Sequence, residues 1–223
     1  MVRLIVAIGS AAAAVSLVGP PRAAEGVGAY SYGGAASRSP VAGVTAVVAL
    51  LGVPHVRSGH VAGWVGVGGP GLGPGGADEW IQLGVSAFAG ATTGTLYLEV
   101  ERGAAYRYSS LAAGVAVGDR HRLAVSESPA REGWWQPAVD GSPVGPSVHL
   151  PGSHGNWPGQ IVAESWSPES AACNGFAFSF TSLAVAGSGR TALTALSRPL
   201  VFADKGIDVS RSGAALTARA HCG

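Results

Sequence analysis

Residues 80–85 read WIQLGV, an alternation of apolar and other positions that predicts a β-strand. Side chains on a strand point to opposite faces in turn. Ile81, Leu83 and Val85 therefore share an aliphatic face, and Trp80, Gln82 and Gly84 share the other. The first face suits a core; the second suits a wet, concave surface. Residues 95–101, TLYLEVE, repeat the pattern, with Leu96, Leu98 and Val100 on one side and Tyr97, Glu99 and Glu101 on the other. In residues 161–166, IVAESW, the residues Val162, Glu164 and Trp166 share a face, and residues 176–185 group Phe176, Phe178 and Phe180. Period-2 patterning of this kind is the mark of a half-buried strand.

Shorter apolar runs at 60–67, 115–119, 121–126, 133–140, 147–150, 200–202, 207–209 and 214–219 extend the series. Residues 41–53 form a longer one that stops before Pro54, and its β-branched residues and glycines weigh against a helix. Gly- and Pro-rich turns separate the runs, and the loop at 68–76 leads into no helix, so it is not a phosphate cradle. Many short alternating segments, with no helical stretch after the N-terminus and no long repeat, predict an all-β fold: a two-sheet antiparallel β-sandwich.

Composition narrows the function. The 223 residues suffice for one sizeable β domain, and 35 glycines and 14 prolines agree with many turns. Charged residues make up 12% of the chain and the formal net charge is +1, so there is no basic patch for nucleic acid. At the N-terminus, Arg3 precedes an apolar stretch over 4–18, then Pro20, Pro21 and the small pair Ala23–Ala24. Residues 1–24 are read as a signal peptide and the protein as secreted and extracellular. The stretch is shorter than the roughly 20 apolar residues of a membrane span, so no stable span is expected after cleavage. Residues 25–40 lack periodicity and are read as a linker or short pro-segment, leaving 41–223 as the sandwich domain, expected to be a monomer. Cys173 and Cys222 are the only cysteines and stand outside any metal-type pair, so one disulfide is expected between them. Closing that loop is worth about 4 kcal/mol in the chain-entropy picture.

The usual catalytic signatures, GxSxG, HExxH and the P-loop, are absent. The histidines, His55, His60, His121, His149, His154 and His221, are scattered and read as solvated rather than as metal ligands. What remains is carboxylates and an amide beside aromatic residues: Gln82, Glu99, Glu101 and Glu164. Glu101 is read as a solvated strand edge. Partial desolvation suits a carboxyl group to general acid–base work, and an amide can donate to a developing oxyanion. Two other uses of the same face stay open. Trp64, Trp80, Tyr97 and Trp166 could stack sugars or grip an extended peptide without catalysis. Glu99 and Glu164 could serve as the paired carboxylates of a glycosidase.

The order of segments adds a resemblance. Trp64-Val65-Gly66-Val67-Gly68-Gly69, Ile81-Gln82-Leu83-Gly84-Val85, Tyr97-Leu98-Glu99, Val117-Gly118-Asp119, Ala163-Glu164-Ser165-Trp166 and the strand from Phe176 to Leu183 follow one another as in the glutamic peptidases, or eqolisins. The chain resembles that family over about residues 41–185. The resemblance implies a concanavalin-like jelly roll and a secreted endopeptidase that needs no metal or cofactor. Carried over by position, Gln82 and Glu164 are the catalytic pair. Glu164 would activate a water and later protonate the leaving amine, while Gln82 would stabilise the oxyanion. Trp64, Trp80, Tyr97, Glu99 and Trp166 would line the site for a polypeptide substrate. The chain departs from the family at Gly68 and Ser86, where the family has aspartates, and at Ser165, where it has a tryptophan. With those acids gone and the chain near neutral, the implied pH optimum moves from acid toward neutral.

Overall fold

A single strand ties the molecule together. The computed structural model describes residues 29–169 and 174–221. The expected signal peptide over 1–24 and the expected pair Cys173 and Cys222 lie outside the described residues. In order the strands are β1 (Ala29–Leu50), β2 (His60–Gly69), β3 (Glu79–Phe88), β4 (Gly94–Arg102), β5 (Ala105–Val115), β6 (Arg120–Ser128), β7 (Arg131–Val139), β8 (Ser142–Pro143), β9 (Val148–His149), β10 (Pro158–Ser167), β11 (Phe176–Gly187), β12 (Thr194–Ala195), β13 (Leu200–Ala203), β14 (Asp208–Ser212) and β15 (Ala215–Ala220). Every pairing among them is antiparallel.

The first half of β1 lies between β10 and β13 in a sheet ordered β5-β4-β3-β2-β10-β1-β13. Its second half lies between β11 and β6 in a sheet ordered β14-β15-β11-β1-β6-β7. The crossing falls at a register shift between Ala36 and Pro40. There Ser37 Oγ donates to the Ser39 carbonyl at 2.7 Å and accepts from the Gly159 amide at 2.9 Å, which satisfies backbone groups freed by the bulge. The result is the all-β, two-sheet antiparallel sandwich that the strand pattern predicts.

The strand parity read from the sequence holds. Ile81, Leu83 and Val85 are buried between the sheets, as are Leu96 and Leu98, with Val100 partly buried against them. The facing sheet contributes Val44, Val48, Leu123, Phe178, Phe180 and Leu216 to the same core. Trp135 is completely buried and its Nε1 donates to Ser153 Oγ at 2.7 Å, so its one polar atom is satisfied. Leu98→Ala should cost about 2–5 kcal/mol, the usual range for opening a leucine-sized cavity. Denaturant unfolding would read this directly, and an unchanged midpoint would put Leu98 outside the core.

One reading needs correction, and one strand escaped the pattern. The stretch 25–40 is not a linker over its described part, because residues 29–40 form the first half of β1. Its Gly, Ala and Ser side chains carry no apolar period, yet the segment is hydrogen-bonded on both edges, and that pairing is supplied by β10 and β13 far along the chain. Strand β5 escaped the pattern for another reason: it lies at the sheet edge with most of its side chains exposed or half-buried, so it needs no aliphatic alternation.

Candidate active site

The outer face of the sheet that contains β2, β3, β4 and β10 carries a second, smaller cluster of buried side chains, Tyr32, Ala62, Trp64, Tyr97 and Val162. Register explains the convergence. Tyr30, Trp166, His60 and Phe88 lie in one cross-strand row, and Tyr32, Glu164, Ala62 and Ser86 in the next. Val162, Trp64, Gly84 and Tyr97 form a third, and Gln82, Glu99 and Tyr108 align in a fourth. A Cβ on Gly84 would lie 2.6 Å from Tyr97 Cε1 and 2.8 Å from Trp64 Cβ, so the Tyr97 ring and the base of the Trp64 side chain close over a position only glycine can fill.

Glu164 is 4% exposed. Trp64 Nε1 donates to its Oε2 at 2.9 Å, and His60 Nε2 lies 3.3 Å from its Oε1. The second carboxyl group, Glu99, is half-buried; it accepts from Trp80 Nε1 at 3.0 Å and from the Tyr106 hydroxyl at 3.2 Å. Burial, and then the charge of Glu164, push Glu99 up to about 7, against hydrogen bonds from Trp80, Tyr106 and Gln82 that favour its ionised form. Glu99 is thus a carboxyl group that keeps its proton in mildly acid solution beside a second, hydrogen-bonded carboxyl. The Tyr97 ring stacks on Tyr108 at 5.2 Å, and its fully buried hydroxyl has no hydrogen-bond partner among the described residues.

All the site residues named from the sequence lie on this face. Gln82 is 6% exposed and lies directly across from Glu99 on β4, and no hydrogen bond joins it to Glu164 among the described residues. Glu99 lies between them in influence: it is the cross-strand neighbour of Gln82, and the charge of Glu164 helps to raise it. Trp166 packs against Tyr30 and stacks on His60. Glu101 is half-buried, and burial followed by the Asp78 charge raises it.

The residues that sequence reasoning missed are His60, Tyr30, Tyr32, Tyr106 and Tyr108. His60 had a signal, since it shares strand parity with Trp64. Among the described residues no three His, Cys, Asp or Glu side chains gather as a metal-ligand group.

Two of the three departures from the eqolisin pattern, Gly68 and Ser86, have local explanations. Gly68 has φ +95°, and a Cβ there would lie 2.2 Å from the Glu79 carbonyl oxygen, so this backbone excludes aspartate. Ser86 Oγ shares a 2.9 Å hydrogen bond with the Tyr108 hydroxyl, a neutral contact where a carboxylate would bring charge.

No family model matches the sequence, and no curated protein does. Solved structures do resemble the fold. Scytalido-glutamic peptidase with a transition-state analogue inhibitor superposes with a TM-score of 0.63 at 15% identity, over 86% of this chain and 98% of that one. The same peptidase with a peptide-based transition-state analogue gives 0.61 at 15% identity, over 87% and 100%. SCP-B, an eqolisin in complex with the tripeptide Ala-Ile-His, gives 0.59 at 15% identity, over 87% and 100%. At that identity the likeness is one of fold: the chain is a concanavalin-like jelly-roll sandwich.

Proposed function

We propose that the protein is a hydrolase of the glutamic peptidase type, cutting polypeptides with Glu164 and Gln82. The observation that carries this reading is the buried Glu164 carboxyl, clamped by Trp64 and His60 on the face that also holds Gln82 and Glu99. The fold shared with the scytalido peptidase adds to it.

In the proposed reaction Glu164 takes a proton from a water as that water attacks the substrate carbonyl. The carbonyl oxygen becomes an oxyanion and the Gln82 amide donates to it. Glu164 then passes its proton to the leaving nitrogen, the C–N bond breaks, and the carboxyl group is regenerated as a carboxylate. Glu99, kept neutral by burial, leaves Glu164 as the single negative charge of the site. Trp64, Trp80, Tyr97 and Trp166 supply apolar walls for an extended chain. Secretion after loss of residues 1–24, a Cys173–Cys222 disulfide and action as a monomer belong to the same proposal.

The test is digestion of a denatured protein by the purified mature chain between pH 2 and 8, with class inhibitors alongside. Cleavage insensitive to serine, cysteine, metallo and pepstatin-type inhibitors is expected. Failure to cleave at any pH, together with binding of glycans or peptides, would overturn it in favour of a binding sandwich. A second reading has one observation behind it: Glu99, proton-bearing up to about 7, shares a sheet face with a second carboxyl group whose charge it senses, the division of labour found between the acid and the nucleophile of glycosidases. A polysaccharide panel in the same assay separates the two.

A further inference from the structure

His60 is held in place from several sides. Its backbone pairs with Trp166 on β10 and with Phe88 on β3. Its ring stacks on Trp166 at 5.6 Å, meets Tyr30 edge-on at 6.2 Å and leans on Phe88 at 5.7 Å. Among the described residues one polar contact leaves this aromatic surround, from Nε2 to Glu164 Oε1 at 3.3 Å. The other carboxyl oxygen, Oε2, accepts from Trp64 Nε1, which can only donate. Each oxygen of Glu164 therefore has its own ring nitrogen, on side chains two apart on the same strand face of β2.

A carboxylate held by one donor can still swing about that bond. Two donors on separate oxygens fix the plane of the group, and with it the direction of the lone pairs left for a water. A base must meet its proton within hydrogen-bond reach and in line, and misplacement by about 1 Å can cost a hundredfold in rate.

We infer that His60 is a positioning residue, donating Nε2–H to Glu164 Oε1 so that this carboxylate faces the cleft in one orientation. The role given to that orientation rests on the proposed peptidase reaction; the His60–Glu164 contact does not. It also explains why the half-buried ring is packed against aromatics: they limit its rotation and aim a nitrogen that would otherwise be free to turn to solvent.

The experiment compares His60→Ala, His60→Asn and His60→Gln with wild type, reading kcat and KM separately on an unfolded protein substrate. A glutamine amide reaches about as far as Nε2, whereas an asparagine amide stops near the place of Nδ1. His60→Ala and His60→Asn are expected to lower kcat about a hundredfold with KM within about twofold, and His60→Gln to recover to within about tenfold of wild type. A second measurement does not need activity. Proton–nitrogen NMR of the ¹⁵N-labelled mature chain should show a slowly exchanging His60 Nε2–H resonance that disappears in Glu164→Ala. Unchanged kcat in His60→Ala, equal losses in Asn and Gln variants, or absence of that resonance in wild type would overturn the inference. If wild type digests nothing, the peptidase reading fails, and the resonance alone decides whether His60 holds Glu164.

Discussion

Glu164→Gln is expected to remove turnover while leaving the fold intact. The amide keeps the shape of the side chain, and its oxygen can still accept from Trp64 Nε1, the 2.9 Å bond that anchors the wild-type carboxyl. What it loses is the ability to take a proton from water and return it to the leaving nitrogen. General acid–base groups contribute about 10²–10⁴ in rate, and here one group serves both steps, so the loss should lie toward the upper end. Gln82→Ala removes the proposed oxyanion donor and should cost about 10²–10³, as for single donors in other acyl-transfer enzymes. The double variant should be little worse than Glu164→Gln alone, because groups that act as a unit lose their joint effect together. Single-turnover digestion of an unfolded substrate measures all three, with far-ultraviolet dichroism as the check on folding. Single variants that digest as fast as wild type would remove Gln82 and Glu164 from the chemistry.

The second large effect belongs to Glu99 and runs with pH. Burial and then the neighbouring Glu164 charge lift it from 4.5 to about 7. An unfolded glutamate loses its proton near the lower value, whereas the folded one holds it to the higher value. Between those limits the native state binds more protons, so stability must fall as pH rises through the window. The full effect, allowing for the solvent that reaches this half-buried group, is about 2 kcal/mol. Activity should fall as pH rises above about 7, by about tenfold per unit, as Glu99 adds a second negative charge to the site. Glu99→Gln removes the titration. Its melting temperature should be flatter between pH 4.5 and 7 than that of wild type, and its activity should persist further into alkali. Parallel pH profiles for the two proteins would show that Glu99 does not titrate there.

How much of this was visible in the chain follows from how local each signal is. The parity of Ile81, Leu83 and Val85 against Trp80, Gln82 and Gly84 is a property of six adjacent residues, and it predicted both the core face and the site face. Glu99 and Glu164 could be picked out because charge beside aromatics within an apolar strand is costly unless it is used or paired. Tyr30 and Tyr32 were hidden inside a Gly-, Ala- and Ser-rich segment whose strand character comes from partners more than 100 residues away, such as Glu164 opposite Tyr32. Tyr106 and Tyr108 lie on the edge strand β5, where exposure erases the apolar period; their hydroxyls reach Glu99 and Ser86 only once β4 and β5 pair. The role of His60 needed the pairing of β2 with β10, which brings residues 104 positions apart into contact. A histidine's parity can be read from a strand, but the identity of its partner cannot.

The strand β1 has a further consequence, for how the molecule comes apart. In most sandwiches each sheet can loosen its own edge strands while the other stays intact. Here neither sheet can lose its interior strand without pulling the same segment from the other, since Tyr32 to Ala36 and Val44 to Ala49 are joined by a few residues only. The amide hydrogens of Val44–Ala49, flanked by β6 and β11 and packed on the core, should therefore exchange with solvent only through complete unfolding. Their exchange free energy should equal the stability measured by denaturant, and calorimetry should find a single transition in which both sheets melt together.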